Sequence, residues 1–220
     1  MSMNISFNAG SSGSYGSINK NNAQYKAAAK DYLANHRAEV ARMSPLERQM
    51  YELFGGEQAY MRNVMKMYNS DGDYVGADGS TVPGMVATGI PESERHQMIN
   101  VSEEYRQKMF DLVKKEFIRE NGVANGDITN RSSVYREYQL SIKKEDRLKG
   151  SWSLEQYEQK YRSALAAAVK AVNPNWKNGD SFDPGILDSV TRESVESQLV
   201  KSGNTFVKKP SSGSSLDIQV

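Results

Sequence analysis

Helical periodicity constrains this chain more than any other feature. Apolar residues recur at steps of three and four through most of it, and strict apolar/polar alternation is scarce. Such spacing places side chains along one face of an α-helix, so successive helices can bury their stripes against each other. We therefore expect an all-α fold, an irregular bundle of five to seven helices. The clearest stripe comprises Leu154, Tyr157, Tyr161, Leu165, Ala168 and Val172.

Capping and helix-breaking residues predict the helices of the N-terminal half. A first helix is expected over residues 22–43, with His36 on its apolar stripe as a packing residue. Ser44, Pro45 and Glu47 follow the order of an N-cap, a first-turn proline and a capping-box glutamate. The double glycine at 55–56 predicts a break after this second helix, because each glycine costs roughly 1 kcal/mol in a helix interior. The residues expected to face inward on it are Leu46, Met50, Leu53 and Phe54.

The same signals predict helices in the C-terminal half. We expect one helix to begin at Ser133 and to be closed by Gly150. Ser153 and Gln156 have capping-box spacing, so they indicate the start of the next helix. A last helix is expected over residues 183–201, opened by Asp and Pro and followed by a glycine stop.

Residues 69–89 are rich in Gly and Asp and predict one long loop. A minor hairpin that would pair 74–75 with 81–82 stays open as an alternative within it. Asn69, Asp71 and Asp73 have the alternate spacing of the first three ligands of a calcium loop. The pattern then departs at the glycine and glutamate positions, which fall on Tyr74 and Ser80. We therefore expect a solvated turn-rich loop and no metal.

The first nineteen residues contain no charged side chain, although a quarter of the whole chain is charged. Their Ser/Asn/Gly-rich composition lacks the patterning of a folded element. In general character this segment resembles the N-terminal signals of bacterial proteins exported through contact-dependent needle-type secretion systems. The resemblance rests on composition and assigns a role to no residue. We expect a flexible uncharged segment at 1–19, a helical domain at 20–203 and a flexible tail at 204–220.

Composition excludes several functional classes. Lys and Arg number 28 and Asp and Glu 27, so no strong field favours a nucleic-acid partner. The chain has no Cys and two His, which removes disulfides, thiolate sites and most zinc sites and triads. No glycine array has phosphate-loop spacing, and no apolar run reaches the roughly 18 residues of a membrane span. We expect no cofactor and no membrane span.

Three carboxylates are the candidate catalytic residues. Glu57 lies near a helix start, and Asp71 and Asp73 follow in the polar loop. This layout resembles that of some wall-degrading lysozyme-like enzymes, in which one carboxyl group protonates the leaving oxygen. The helix dipole explains a glutamate at that position equally well. Whether the protein is an enzyme therefore stays open.

Four tyrosines on adjacent predicted helices are the candidate binding residues, because tyrosine suits half-buried recognition surfaces. They are Tyr135, Tyr138, Tyr157 and Tyr161. The alternative is a structural role, in which these rings cover a small helical core.

The leading functional hypothesis is an exported bacterial effector or accessory protein, with a virulence role, that binds another protein through its helical module. A secretion chaperone or a host target would be that partner. The alternatives are a wall-glycan hydrolase or toxin with Glu57 as the acid, and a structural or accessory protein of a phage or similar particle. Localisation is accordingly secreted by a non-classical route, or cytoplasmic.

Overall fold

The computed structural model describes residues 17–85, 87, 89–123 and 129–209. The predicted export segment and C-terminal tail lie outside these residues, apart from positions 17–19 and 204–209. The chain forms two compact units, one up to Gly84 and one from Met85 onward. The described residues are mostly helical and contain only two-stranded sheets, which confirms the predicted irregular helical bundle.

The elements of the first unit begin with a long helix interrupted by a π-helical segment, Ala29–Leu33. Asn22 caps this helix, since its side chain accepts the Tyr25 N–H at 2.7 Å. The elements in order are α1 (Ala23–Ala28), α2 (Ala34–Ala41), α3 (Pro45–Leu53), α4 (Gly56–Met65), β1 (Tyr74–Val75) and β2 (Thr81–Val82).

A small core holds the first unit together. Tyr25 and Ala28 of α1 are buried with Met61 of α4 and with Tyr68, which follows α4. The Tyr68 hydroxyl donates to a carboxylate oxygen of Asp31 at 2.5 Å, so the ring is tied to the π-helical segment. Burial and this hydrogen bond both raise the pKa of the Tyr68 hydroxyl.

Helix α3 begins and ends where the sequence predicts. Ser44 accepts the Glu47 N–H and Glu47 accepts the Ser44 N–H, which confirms the capping box. Gly55 has a φ of 95°, a left-handed conformation that separates α3 from α4 and confirms the predicted break.

The prediction that the apolar stripe of α3 faces inward is wrong. Leu46, Met50, Leu53 and Phe54 are 69%, 43%, 75% and 52% exposed. The helix is attached through its other side, where the Tyr51 hydroxyl hydrogen-bonds the His36 ring and Arg48 donates to the carbonyls of α2.

The long loop contains a minor hairpin, which the sequence left open. Strands β1 and β2 pair antiparallel, with Tyr74 opposite Val82 and Val75 opposite Thr81. Gly79 adopts a φ of 80° in the connection, which a side chain would disfavour.

The second unit is built on two long helices, α6 and α8. Phe110 of α6 meets Tyr161 of α8 edge to face with ring centroids 5.2 Å apart. The elements in order are α5 (Glu92–Arg95), α6 (Glu103–Arg119), α7 (Thr129–Ser141), a 3₁₀ turn (Lys144–Asp146), α8 (Arg147–Val172), a 3₁₀ turn (Pro184–Leu187), α9 (Arg192–Glu196), β3 (Leu199–Ser202) and β4 (Thr205–Lys208).

The prediction that Gly150 closes a helix is wrong, because this residue lies inside α8. A Cβ at this position would lie 2.6 Å from Ile142 Cδ1 and 3.0 Å from Tyr138 Cε1. The glycine therefore permits α7 to approach α8 closely, and this packing explains a residue that sequence reasoning assigns to a helix end.

The predicted capping box of Ser153 and Gln156 is also wrong, because both residues lie within α8 and are buried. The Ser153 hydroxyl donates to the Lys149 carbonyl at 2.7 Å and accepts the Ile99 N–H at 2.8 Å. The serine thus satisfies the backbone of another segment instead of a helix start.

The predicted last helix over residues 183–201 is replaced by a 3₁₀ turn, the short helix α9 and strand β3. Strands β3 and β4 pair antiparallel, with Ser202 opposite Thr205. Residues 205–208, assigned from sequence to the C-terminal tail, form β4 because the hairpin packs on α8. There Trp152 Nε1 donates to the Asn204 carbonyl at 2.8 Å, and the Thr205 hydroxyl donates to Gln156 Oε1 at 2.8 Å.

Replacing Gly150 by leucine tests the close approach of α7 and α8. We expect Gly150→Leu to lower the free energy of unfolding by about 1–3 kcal/mol, because the added side chain overpacks a filled space. A matched control is Lys170→Leu on the exposed surface of α8, which should change it by less than about 0.5 kcal/mol. Urea unfolding measures the free energy of unfolding of both variants. Equal stability of the two variants would contradict the packing role.

Candidate functional site

Glu57, the candidate acid, lies in the first turn of α4 and forms a two-point ion pair with Arg37 of α2. Its two carboxylate oxygens accept hydrogen bonds from Arg37 Nε at 2.7 Å and Nη2 at 2.9 Å. The hydrogen bond and the charge of Arg37 lower the pKa of Glu57 below its usual value. A group that protonates a leaving oxygen needs a raised pKa, so this arrangement favours an ion-pairing role.

Asp71 and Asp73 lie in the loop after α4. The side-chain oxygen of Asn69 accepts the backbone N–H groups of Asp71 at 3.0 Å and Asp73 at 2.9 Å. The buried carboxylate of Asp73 accepts the Gly84 N–H at 2.8 Å and so links the two residues that flank the β1–β2 hairpin. These contacts give Asp73 a structural role, and Glu57 has a different partner.

Metal-ligating side chains do not converge in the part of the chain that the structure describes. Within those residues no group of three His, Asp or Glu side chains is arranged to hold a metal ion. The hydrolase interpretation of Glu57, Asp71 and Asp73 stays a prediction without a geometric argument in its favour.

His36 stacks on the Tyr60 ring, with centroids 3.4 Å apart and planes 2° from parallel. Its Nε2 is 2.9 Å from the Tyr51 hydroxyl, and the residue is buried. Burial lowers the pKa of the imidazole. His36 is thus a packing residue with one hydrogen bond, and it joins α2, α3 and α4.

The four candidate tyrosines do not form one open surface. Tyr138 and Tyr161 are buried in the core, and the Tyr161 hydroxyl donates to Glu196 at 2.5 Å. Tyr157 is half-buried beneath Phe206, with ring centroids 4.6 Å apart. Tyr135 lines a cleft and donates to Glu158 at 2.9 Å. Burial raises the pKa of each of the four hydroxyls, that of Tyr138 to about 12.

A nearly buried ion network joins α6, α7 and α8. Arg131 Nη1 donates to Glu158 at 2.9 Å, and Arg131 Nε lies 3.2 Å from Glu116 Oε2. Arg162 donates to the same Glu116 oxygen at 3.1 Å. Burial raises the pKa of Glu116 despite these cations. Because Glu116 belongs to α6, Arg131 to α7 and Arg162 to α8, these ion pairs connect the three helices.

The surface that sequence reasoning missed is the exposed apolar stripe of α3. Leu46, Met50, Leu53 and Phe54 lie within an arc of about 100° on a helix of 3.6 residues per turn. No residue of α3 is buried. The signal was present in the strong amphipathic pattern, but a pattern alone does not tell an internal core face from an external contact face.

The pKa of Glu57 tests its role. Because Arg37 stabilises the charged form, the folded-state pKa should lie below 4.5, and replacing Arg37 by methionine should raise it toward that value. The ion pair then contributes stability above the unfolded-state pKa, and this contribution is lost as the pH falls through the folded-state pKa. Carboxyl NMR titration measures the Glu57 pKa in the unmodified protein and in the Arg37→Met variant. A Glu57 pKa above 4.5 in the unmodified chain would instead support the acid role.

Among the described residues, every helix is too short or too polar to span a bilayer.

Comparison with known proteins identifies the family of this chain. No curated protein and no solved structure shows a significant match. A family model described as a domain of unknown function, DUF3879, matches residues 18–220. Because that match spans nearly the whole chain, the protein belongs to the DUF3879 family.

Proposed function

We propose that this protein acts by binding another protein, and that the apolar stripe of α3 is its contact surface. The observation that carries this proposal is the exposure of Leu46, Met50, Leu53 and Phe54 on a helix that buries no residue. Single exposed apolar residues are ordinary, but four on one helix face form a contiguous patch.

The geometry suits insertion of one helix into a groove. The residues have spacings of four, seven and eight from Leu46, which is how amphipathic helices present anchors to an apolar groove. Two long aliphatic chains, one methionine and one aromatic ring supply the adaptable and aromatic contacts favoured in interface cores. The capping box and the Tyr51–His36 contact hold the helix formed before a partner arrives, which lowers the ordering cost of binding.

Charge beside the stripe specifies the partner further. Glu47 is exposed and lies about 20° beyond Phe54, at one edge of the apolar arc. A groove with an apolar floor and Lys or Arg on its rim would complement this surface, since rim charges steer association and select partners. We therefore propose a partner protein with such a groove as the occupant.

Site-specific crosslinking tests this surface. A photoreactive amino acid at position 53 of the full chain should yield an adduct in native cells, and one at Asn63, exposed on α4, should yield far less. The double substitution Leu46→Glu and Leu53→Glu should then weaken binding of the captured partner at least about tenfold, because carboxylates are unfavourable in an apolar groove. Asn63→Glu, which adds the same charge elsewhere in the unit, should bind unchanged.

Several outcomes would contradict the proposal. Equal adduct yields at positions 53 and 63 would remove the preference for α3, as would full affinity in the double variant. An adduct with a second copy of the chain would replace the partner groove by self-association. Each single glutamate variant should unfold within about 0.5 kcal/mol of the unmodified protein, because the side chains are exposed. A larger loss would mean that the stripe is buried.

We also propose that the protein is exported and that the uncharged N-terminal segment is the signal. The support is compositional, since residues 1–19 carry no charge. Residues 1–20 fused to a reporter should be secreted by a bacterium with a needle-type system. A strain lacking the needle is the control and should retain the reporter. Retention in both strains would remove the export proposal and leave the binding proposal intact.

A further inference from the structure

A cleft of about 470 Å³ lies between α5, α7 and α8 in the second unit. This volume lies within the range of small-molecule sites. Its lining combines cations, carboxylates and aromatic rings from three elements. The residues that matter for its chemistry are Arg95, His96, Tyr135, Leu148, Trp152 and Glu155.

Arg95 is a cation without a counter-ion in this cleft. Its Nε is buried with no acceptor, and no ion pair to Arg95 is formed among residues 17–85, 87, 89–123 and 129–209. A guanidinium N–H removed from water without an acceptor is unfavourable, and buried polar groups almost always have a partner. The Arg95 guanidinium could therefore donate to an oxygen acceptor of a bound ligand.

The other charged groups of the cleft are largely satisfied by one another. Glu158 accepts hydrogen bonds from Arg131 Nη1 and from the Tyr135 hydroxyl, both at 2.9 Å. Glu155 accepts the Gln159 amide at 3.3 Å. Its carboxylate nevertheless repels anions, which directs a negative ligand group toward Arg95.

Aromatic groups lie next to this cation. The rings of His96 and Trp152 stack with centroids 3.9 Å apart and planes 14° from parallel. The Trp152 indole is held in place because its Nε1 donates to the Asn204 carbonyl at 2.8 Å. With Tyr135 and Leu148, these side chains offer a planar ring an apolar surface to pack against.

We propose that this cleft binds a small aromatic anion. A carboxylate or phosphate of the ligand would pair with the Arg95 guanidinium, whose planar array of donors suits both groups. The ring would pack against Trp152, Tyr135 and Leu148. This site lies in the second unit and is independent of the α3 surface.

Fluorescence titration of the full chain tests the proposal. The chain has two tryptophans, and the other one, Trp176, is buried and does not line the cleft, so Trp152 reports on binding there. Benzoate and phenyl phosphate are the probes, and benzyl alcohol is the uncharged control. We expect saturable binding of at least one anion, a loss of at least about tenfold in Arg95→Gln, and no loss in Arg136→Gln, an exposed arginine of α7 outside the cleft.

The two probes distinguish the chemical sources of the anion. Tighter binding of benzoate assigns the site to carboxylates, and tighter binding of phenyl phosphate assigns it to phosphate esters. Calorimetry repeats each titration, so that a silent fluorophore is not mistaken for absent binding. Failure of both anions to bind, equal binding of benzyl alcohol, or unchanged affinity in Arg95→Gln would overturn the proposal.

Discussion

The packing of α6 and α7 on the 26-residue helix α8 is the interaction on which the second unit depends. Leu154, Tyr161, Leu165 and Val169 of α8 are fully buried, and burial of each such side chain stabilises the fold by about 1.5–3 kcal/mol. The same helix supplies polar groups to its neighbours. Ser153 satisfies the backbone before α6, and Trp152 and Gln156 hold the C-terminal hairpin. Elements with little core of their own are ordered by this helix.

The sequence predicts the helical class well because apolar periodicity is a local property. The capping box at Ser44, the break at Gly55 and the small hairpin in the Gly/Asp-rich loop follow equally from local chemistry. Gly150 and Ser153 are misassigned for one reason, namely that their roles depend on residues of another element. Val172 continues the apolar stripe but is 66% exposed at the last residue of α8.

The candidate sites also differ in whether local sequence or contacts with other elements determine them. Tyr135, Tyr138, Tyr157 and Tyr161 form one group in the sequence because they fall on adjacent predicted helices, but their surroundings range from full burial to the wall of a cleft. Neither Arg95 nor Trp152 belongs to a recognisable motif, and only the three-dimensional arrangement relates them. The α3 stripe was visible in the sequence, yet its direction depends on the attachment of Tyr51 to His36. Side-chain chemistry is therefore predictable where a single element decides it.

The π-helical segment Ala29–Leu33 sets the rotational phase between α1 and α2. In an uninterrupted α-helix, His36 would lie about 80° around the axis from Ala28, since eight residues at about 100° each leave that remainder. A wider π turn absorbs about one extra residue and returns His36 to the side of Ala28 and Tyr25. Ala28 and His36 are both buried, Ala28 in the core of the first unit and His36 against the Tyr60 ring. Deleting one residue from this turn would thus restore an uninterrupted α-helix with seven steps of about 100° between Ala28 and the imidazole, which keeps both on one side and leaves the attachment of α3 in phase.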